Sequence, residues 1–195
     1  VENGKIAQIG INLPKCEEEI DLQGKLVMPP YVDPHLHLDY VYTLSELGQE
    51  GAGSGTLFEA IELWPKFKET LTIESVKKLA LRGIKDEVSQ GVQHIRTHID
   101  VTDPNFTALK AMLEMKEDLK HIVDIQIVAF PQQGMYTYKG GLELVEEALK
   151  MGADIVGGIP HYEPAREFGD KSVHDIVKLA LKYDKLIDVH CDETD

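Results

Sequence analysis

Cysteine is nearly absent from the chain: Cys16 and Cys191 are its only two, near opposite ends of 195 residues. Two such distant thiols build neither a disulfide framework nor a CxxC metal knuckle, and a reducing, cytoplasmic setting is the default expectation. Long apolar runs are missing as well, none approaching the ~18 residues that cross a bilayer. Basic residues are scarce, 20 Lys and Arg against 34 Asp and Glu, for a formal net charge of −14. A surplus of that sign repels phosphate backbones and anionic lipid, so no nucleic acid and no membrane surface is expected as a partner. Neither GxGxxG nor GxxxxGK(S/T) occurs after any apolar run, which removes the usual nucleotide-binding reasons for a doubly wound sheet. What remains is 43% hydrophobic residues, 28% charged and 7% aromatic, the composition of an ordinary soluble α/β protein.

Two rhythms divide the chain. Residues 1–28 are short and β-like, with an Asn3-Gly4 turn before Ile6 and Ile9, an acidic stretch Glu17–Asp21 and a Gly24 turn before Leu26. Asn-Gly is a strong hairpin signal, but the segment is too small for a core of its own and is expected to pair with strands elsewhere. From residue 29 to 195 short β-branched runs alternate with amphipathic helices. Strands are predicted near Tyr31–Leu36, Val92–Ile99, Ile122–Phe130, Ile155–Ile159 and Leu186–Val189, without alternation, as in parallel sheets covered by helices. The helix beginning at Thr56 has a capping box with Glu59 and a stripe of Leu57, Ala60, Ile61 and Trp64. A second stripe runs Val76, Leu79, Ala80, Ile84 and Val88, a third Phe106, Leu109, Met112 and Leu113, with Met115 read as surface. A fourth helix covers residues 141–151, and a fifth opens at Ser172 with Asp175 in capping-box spacing and buries Val173, Ile176, Val177 and Ala180. Such βα units suit either a (βα)8 barrel or a doubly wound sheet. A complete barrel needs ~250 residues, so about five strands of one are expected here, in a chain that reads as a fragment.

Every predicted strand ends in polar residues: Asp33-Pro-His-Leu-His-Leu-Asp39, Arg96-Thr-His-Ile-Asp100, Phe130-Pro-Gln-Gln133, Pro160-His-Tyr-Glu163 and Val189-His-Cys-Asp-Glu193. In a barrel these ends share one mouth, where active sites lie. On an extended segment His35 and His37 point to one side, a pair that suits zinc or ferrous iron or else two partly buried histidines. His190 is a candidate third nitrogen ligand. Glu193 three residues on is either a proton shuttle beside that ion or part of a solvated loop. Cys191 alternates away from His190 and reads as a packing residue. Gln132 carries an acceptor beside a donor, matching a ring edge with C=O next to N–H, or is a loop glutamine. His98, Asp100 and His161 are further candidates to line the pocket, each with a structural alternative.

Taken together and in order, these motifs resemble the bacterial cytosine deaminases of the amidohydrolase superfamily, over essentially the whole chain. The resemblance implies a TIM-type metal-dependent barrel beside a small β-sandwich that takes in residues 1–28. It implies one iron or zinc ion on His35, His37 and His190, Glu193 as proton shuttle, and Gln132 on the pyrimidine N1 and O2. Ile159–Glu163 contains no lysine, so a mononuclear site is expected. The implied reaction is hydrolytic deamination of cytosine to uracil and ammonia by a metal-activated hydroxide, in a homo-oligomer acting on a free nucleobase. Isoguanine, creatinine or an aminotriazine are alternative substrates, and a barrel fragment that binds metal without catalysis is an alternative of another class.

Overall fold

The computed structural model describes residues 1–43 and 57–193, without the side chains of Leu57, Phe58, Ala60 and Ile61. The expected Thr56 capping box and most of the first apolar stripe therefore lie outside the described residues. Strands β1 (Tyr31–Leu36), β2 (Val92–Asp100), β3 (Asp124–Phe130), β4 (Ile155–Gly158) and β5 (Leu186–Val189) are joined by helical crossovers. These are α1 (Leu57–Lys68) and α2 (Ile73–Ser89), then α3 (Thr107–Leu119), α4 (Gly141–Met151) and α5 (Arg166–Tyr183). All four pairings are parallel and each strand lies beside its sequence neighbour, in the order β1-β2-β3-β4-β5. A doubly wound sheet reverses its strand order at a switch point; an unbroken order is the wall of a barrel. Five strands make about half of one.

The core lies between the wall and its helices. Val76, Ala80 and Ile84 of α2, Leu109, Met112 and Met115 of α3, and Val145, Ala148 and Leu149 of α4 share it with Ile95, Ile125, Ile127 and Val156. Met115, read above as surface, is buried there. Glycine lets the thin strand β4 sit close to both neighbours. A Cβ on Gly157 would meet the Ala129 carbonyl at 2.6 Å, and one on Gly158 would run into the Ile176 side chain.

Helix α5 departs from expectation. It starts at Arg166, with Ala165 as an uncapped N-cap, because a 3-10 turn at Pro160–Tyr162 hands the chain straight into it. Gly169 permits this close entry, since a Cβ there would lie 2.7 Å from the Pro160 carbonyl. Ser172 is thus interior: its hydroxyl donates back to Gly169 O at 2.7 Å, and Asp175 accepts from Tyr136 and Lys178. The buried face is Gly169, Ser172, Ile176, Leu179 and Ala180, leaving Val173 and Val177 exposed. Helix α2 has a capping box the sequence reading missed, Thr72 with Ser75 in place of the usual Glu or Gln.

At the N-terminus Asn3 and Gly4 both have positive φ, 52° and 72°, as a type I′ turn requires, and Glu2 bridges Lys5 antiparallel. Among the described residues no strand follows before Tyr31, and Ile6, Ile9, Ile11, Ile20 and Leu26 are exposed.

Candidate metal centre

Beyond β1 the chain is pinned to the end of β2 at two successive residues. Leu38 N donates to Thr97 Oγ1 at 2.9 Å, and Asp39 Oδ2 accepts from Asp100 N at 2.8 Å. This clamp fixes the segment carrying His35 and His37. At the other side of the wall His190 follows β5 directly, its N–H donating to Gly158 O at 3.0 Å. The three imidazoles converge: one ring nitrogen from each of His35, His37 and His190 lies within 4.8 Å of the others. His37 Nε2 and His190 Nε2 are 3.2 Å apart. Two nitrogens bound to one tetrahedral zinc at ~2.0–2.1 Å stand roughly 3.3 Å apart, so this pair suits a shared ion. The second ring nitrogens, Nδ1 of His37 and of His190, are buried without a protein partner.

Under this group lies a floor of buried side chains. His98 is fully buried, its ring 4.4 Å from that of His35 and 4.7 Å from that of His190. His98 Nε2 lies 3.2 Å from Asp188 Oδ1, and Arg96 donates to Asp188 Oδ2 at 2.9 Å. Phe130 packs 4.3 Å from the His190 ring. Such surroundings disfavour an imidazolium. Burial, then the neighbouring imidazoles, lower the pKa of His37 to about 2 and that of His190 to about 4. Both rings are therefore neutral at pH 7, the form that binds a metal.

The remaining candidates fall around this centre. Gln132 is buried, and its Oε1 accepts a 2.6 Å hydrogen bond from the Tyr40 hydroxyl; the Tyr40 ring stacks on His37. Glu193 lies on the same rim, its Oε2 3.7 Å from His161 Nε2, and its charge is among those acting on Tyr40. Beside them opens a cleft of about 410 Å3 lined by His161, Arg166, Cys191 and Asp192. Cys191 is exposed and so is not the packing residue expected, because it stands on the open rim just beyond β5. Asp100 is a satisfied structural carboxylate, bonded by Trp64 Nε1 at 2.7 Å and Lys68 Nζ at 2.9 Å.

Two residues have roles the sequence did not show, Tyr40 and Glu163, the latter quoted above only as part of a polar strand end. Tyr40 had only its place after the HxHxD run as a signal. Glu163 accepts from the backbone N–H groups of Met135, Tyr136 and Thr137 at 2.7, 3.0 and 3.1 Å, and so holds the loop after β3 that follows Gln132. No local pattern announces that role.

Comparison with known proteins places the chain in a family. A family model described as "Amidohydrolase family" matches residues 18–195. The chain is 37% identical over 179 residues to N-isopropylammelide isopropyl amidohydrolase of Pseudomonas sp. (strain ADP), a match covering 89% of this chain and 44% of that protein. The structure superposes with TM-score 0.85 and 46% identity on 5-methylcytosine deaminase from Klebsiella pneumoniae liganded with 5-fluorocytosine, covering 93% of this chain and 45% of the other. N-isopropylammelide isopropylaminohydrolase from Burkholderia multivorans matches with TM-score 0.68 and 30% identity, covering 85% of this chain and 41% of that one. The chain thus spans less than half the length of these relatives.

Proposed function

The chain belongs to the amidohydrolase family, and from that premise we propose that it carries the metal-binding side of a hydrolase that converts cytosine to uracil and ammonia. One observation carries the reading: three imidazoles, from the far ends of the half-barrel wall, each bring a ring nitrogen within 4.8 Å of the others. In this reading His35, His37 and His190 hold one divalent ion, iron or zinc. Such an ion supplies Lewis acidity that brings the pKa of water near neutrality. Glu193 takes a proton from the attacking water and delivers it to ring N3. C4 gains the water oxygen, and the second water proton, passed by Glu193 from that oxygen to the amino group, departs with it as ammonia and leaves a C4 carbonyl. Gln132 grips the ring, its amide nitrogen donating to O2 and its carbonyl accepting from N1–H. Residues 1–28 belong to a small β-sandwich and 29–195 to the barrel; the functional protein is a homo-oligomer in the cytoplasm. Among the described residues no helix is long and apolar enough to cross a membrane.

Support for a cytosine-type ring comes from the 46% identity to a protein liganded with 5-fluorocytosine. The 37% identity to an N-isopropylammelide hydrolase favours a second reading, in which that compound is the substrate. Assays of ammonia release from cytosine and of isopropylamine release from N-isopropylammelide, run on the native full-length enzyme, separate them. Release from cytosine with N-isopropylammelide untouched is expected, and the reverse result replaces the first reading by the second. Metal analysis of the same protein should return about one iron or zinc per chain, and His37→Ala or His190→Ala should remove most of it. Full metal content in both variants would dismiss the three-histidine site.

A further inference from the structure

The Gln132 amide can meet a ring in two orientations, and the structure holds one of them. Tyr40 donates its hydroxyl hydrogen to Gln132 Oε1 at 2.6 Å. The phenol is itself held on both faces, stacked on His37 at 5.0 Å with 14° between the planes and 3.9 Å from the Trp64 ring. Trp64 is tied in turn to Asp100, and the Tyr40 backbone is anchored by bonds to His37 O and from Thr43 N. A phenol hydroxyl can donate or accept, and here it donates to the Gln132 carbonyl oxygen, which sets the amide's orientation.

We propose that Tyr40 is a positioning residue that locks the Gln132 amide with its nitrogen toward the ring, and thereby selects heterocycles carrying oxygen rather than an amino group between the two ring nitrogens. This rests on the reading of Gln132 as the ring-binding side chain. With Oε1 fixed by Tyr40, its second lone pair accepts from a ring N–H, and Nε2 donates to a neighbouring carbonyl. A 2-amino ring has the opposite edge, a bare nitrogen acceptor beside an amino donor. It would set donor against donor and acceptor against acceptor unless the amide flipped. Flipping would turn the Tyr40 oxygen from donor to acceptor and leave its part-buried hydroxyl hydrogen without the Gln132 carbonyl it now bonds, so the wrong edge costs more than a missing contact would.

The test is equilibrium binding of two unreactive probes, 2-pyrimidinone and 2-aminopyrimidine, to the metal-loaded full-length protein, with cytosine turnover measured on the same samples. Wild type should prefer 2-pyrimidinone at least tenfold. Tyr40→Phe keeps the stacked ring and should reduce that preference about tenfold, with metal content and thermal midpoint near wild type. Its loss with cytosine should fall more on KM than on kcat. Gln132→Ala should abolish the preference, and adding Tyr40→Phe to it should change nothing more. A Tyr40→Phe preference within twofold of wild type overturns the proposal, as does a wild type that does not discriminate between the probes. Cytosine turnover reports separately on the activity: absent turnover with intact probe discrimination removes the cytosine reading and leaves the role of Tyr40 standing.

Discussion

Burial, more than any hydrogen bond, sets the charge of the His37 and His190 imidazoles, and that has a sign in pH. His37 and His190 have folded pKa values of about 2 and about 4, below the ~6.5 of an unfolded histidine. Their neutral burial is fully compatible with folding above pH 6.5, and the unfolded chain takes up protons that the folded one refuses as pH falls toward 4. Metal-free protein should therefore lose stability over that window, read as a falling urea midpoint. Asp39, whose carboxyl is raised by burial, acts in the opposite sense. The variant His37→Ala isolates the histidine share, and its midpoint should vary less steeply with pH than that of wild type. An equal slope in both would remove His37 as a cause. Glu193→Gln keeps the shape of the side chain and removes the proton carrier, so turnover of the native enzyme should fall at least ~100-fold with metal content unchanged. Wild-type turnover in that variant would take Glu193 out of the chemistry. The histidines and Gln132 were legible because each sits in a polar motif at the end of an apolar run. Tyr40 and Glu163 were not, because their partners lie 92 and 26–28 positions away.

At the scale of elements, short-range chemistry reads well until packing intervenes. Strands β1 and β5 and helix α4 have the limits their β-branched runs and glycine stops predict. Helix α5 does not, because Gly169 lets it press against Pro160 and the helix then needs no serine cap. Two side chains do the capping and clamping work that can be tested. Thr72→Ala removes the hydroxyl that accepts from Ser75 N–H, one half of the α2 capping box, and should cost about 1 kcal/mol in denaturant unfolding. Glu163→Ala should cost more, about 2–3 kcal/mol, because it strands the donors of Met135 and Tyr136 that the carboxylate now accepts from. A Glu163→Ala protein as stable as wild type would mean that water replaces the clamp. Amide exchange at residues 135–137 should rise in the same variant.

For the molecule as a whole, charge and apolar exposure pull in different directions. A net charge of −14 favours solubility. Yet Val173, Val177 and Leu181 on α5 lie exposed, as do Leu186 and Ile187 of the terminal strand β5. Val173, Val177 and Leu181, four residues apart in turn, make an apolar stripe along α5, and such a stripe is an association surface. The 195-residue polypeptide by itself should bind an apolar dye such as ANS and self-associate, more strongly in high salt where the acidic repulsion is screened. A Val177→Lys, Leu181→Lys variant should bind less dye and remain dispersed. A wild-type polypeptide that binds no dye and stays monomeric in 1 M salt would contradict this account.

The sequence by itself determined the elements, the repeated βα order and the polar character of every strand end, because these depend on residues close together in the chain. It also held the histidine pair, whose common direction follows from the two-residue period of an extended segment. Tertiary structure alone decided that the sheet runs β1-β2-β3-β4-β5, and so that β1 and β5 face one another across the mouth. That order brings His190 within 3.2 Å of His37, 153 positions earlier. It also decided which face of α5 is buried, which carboxylates are structural, and which way the Gln132 amide points. Each of these rests on contacts between distant segments, whose geometry is set by how helices and strands pack and not by any pattern a short stretch of residues can carry.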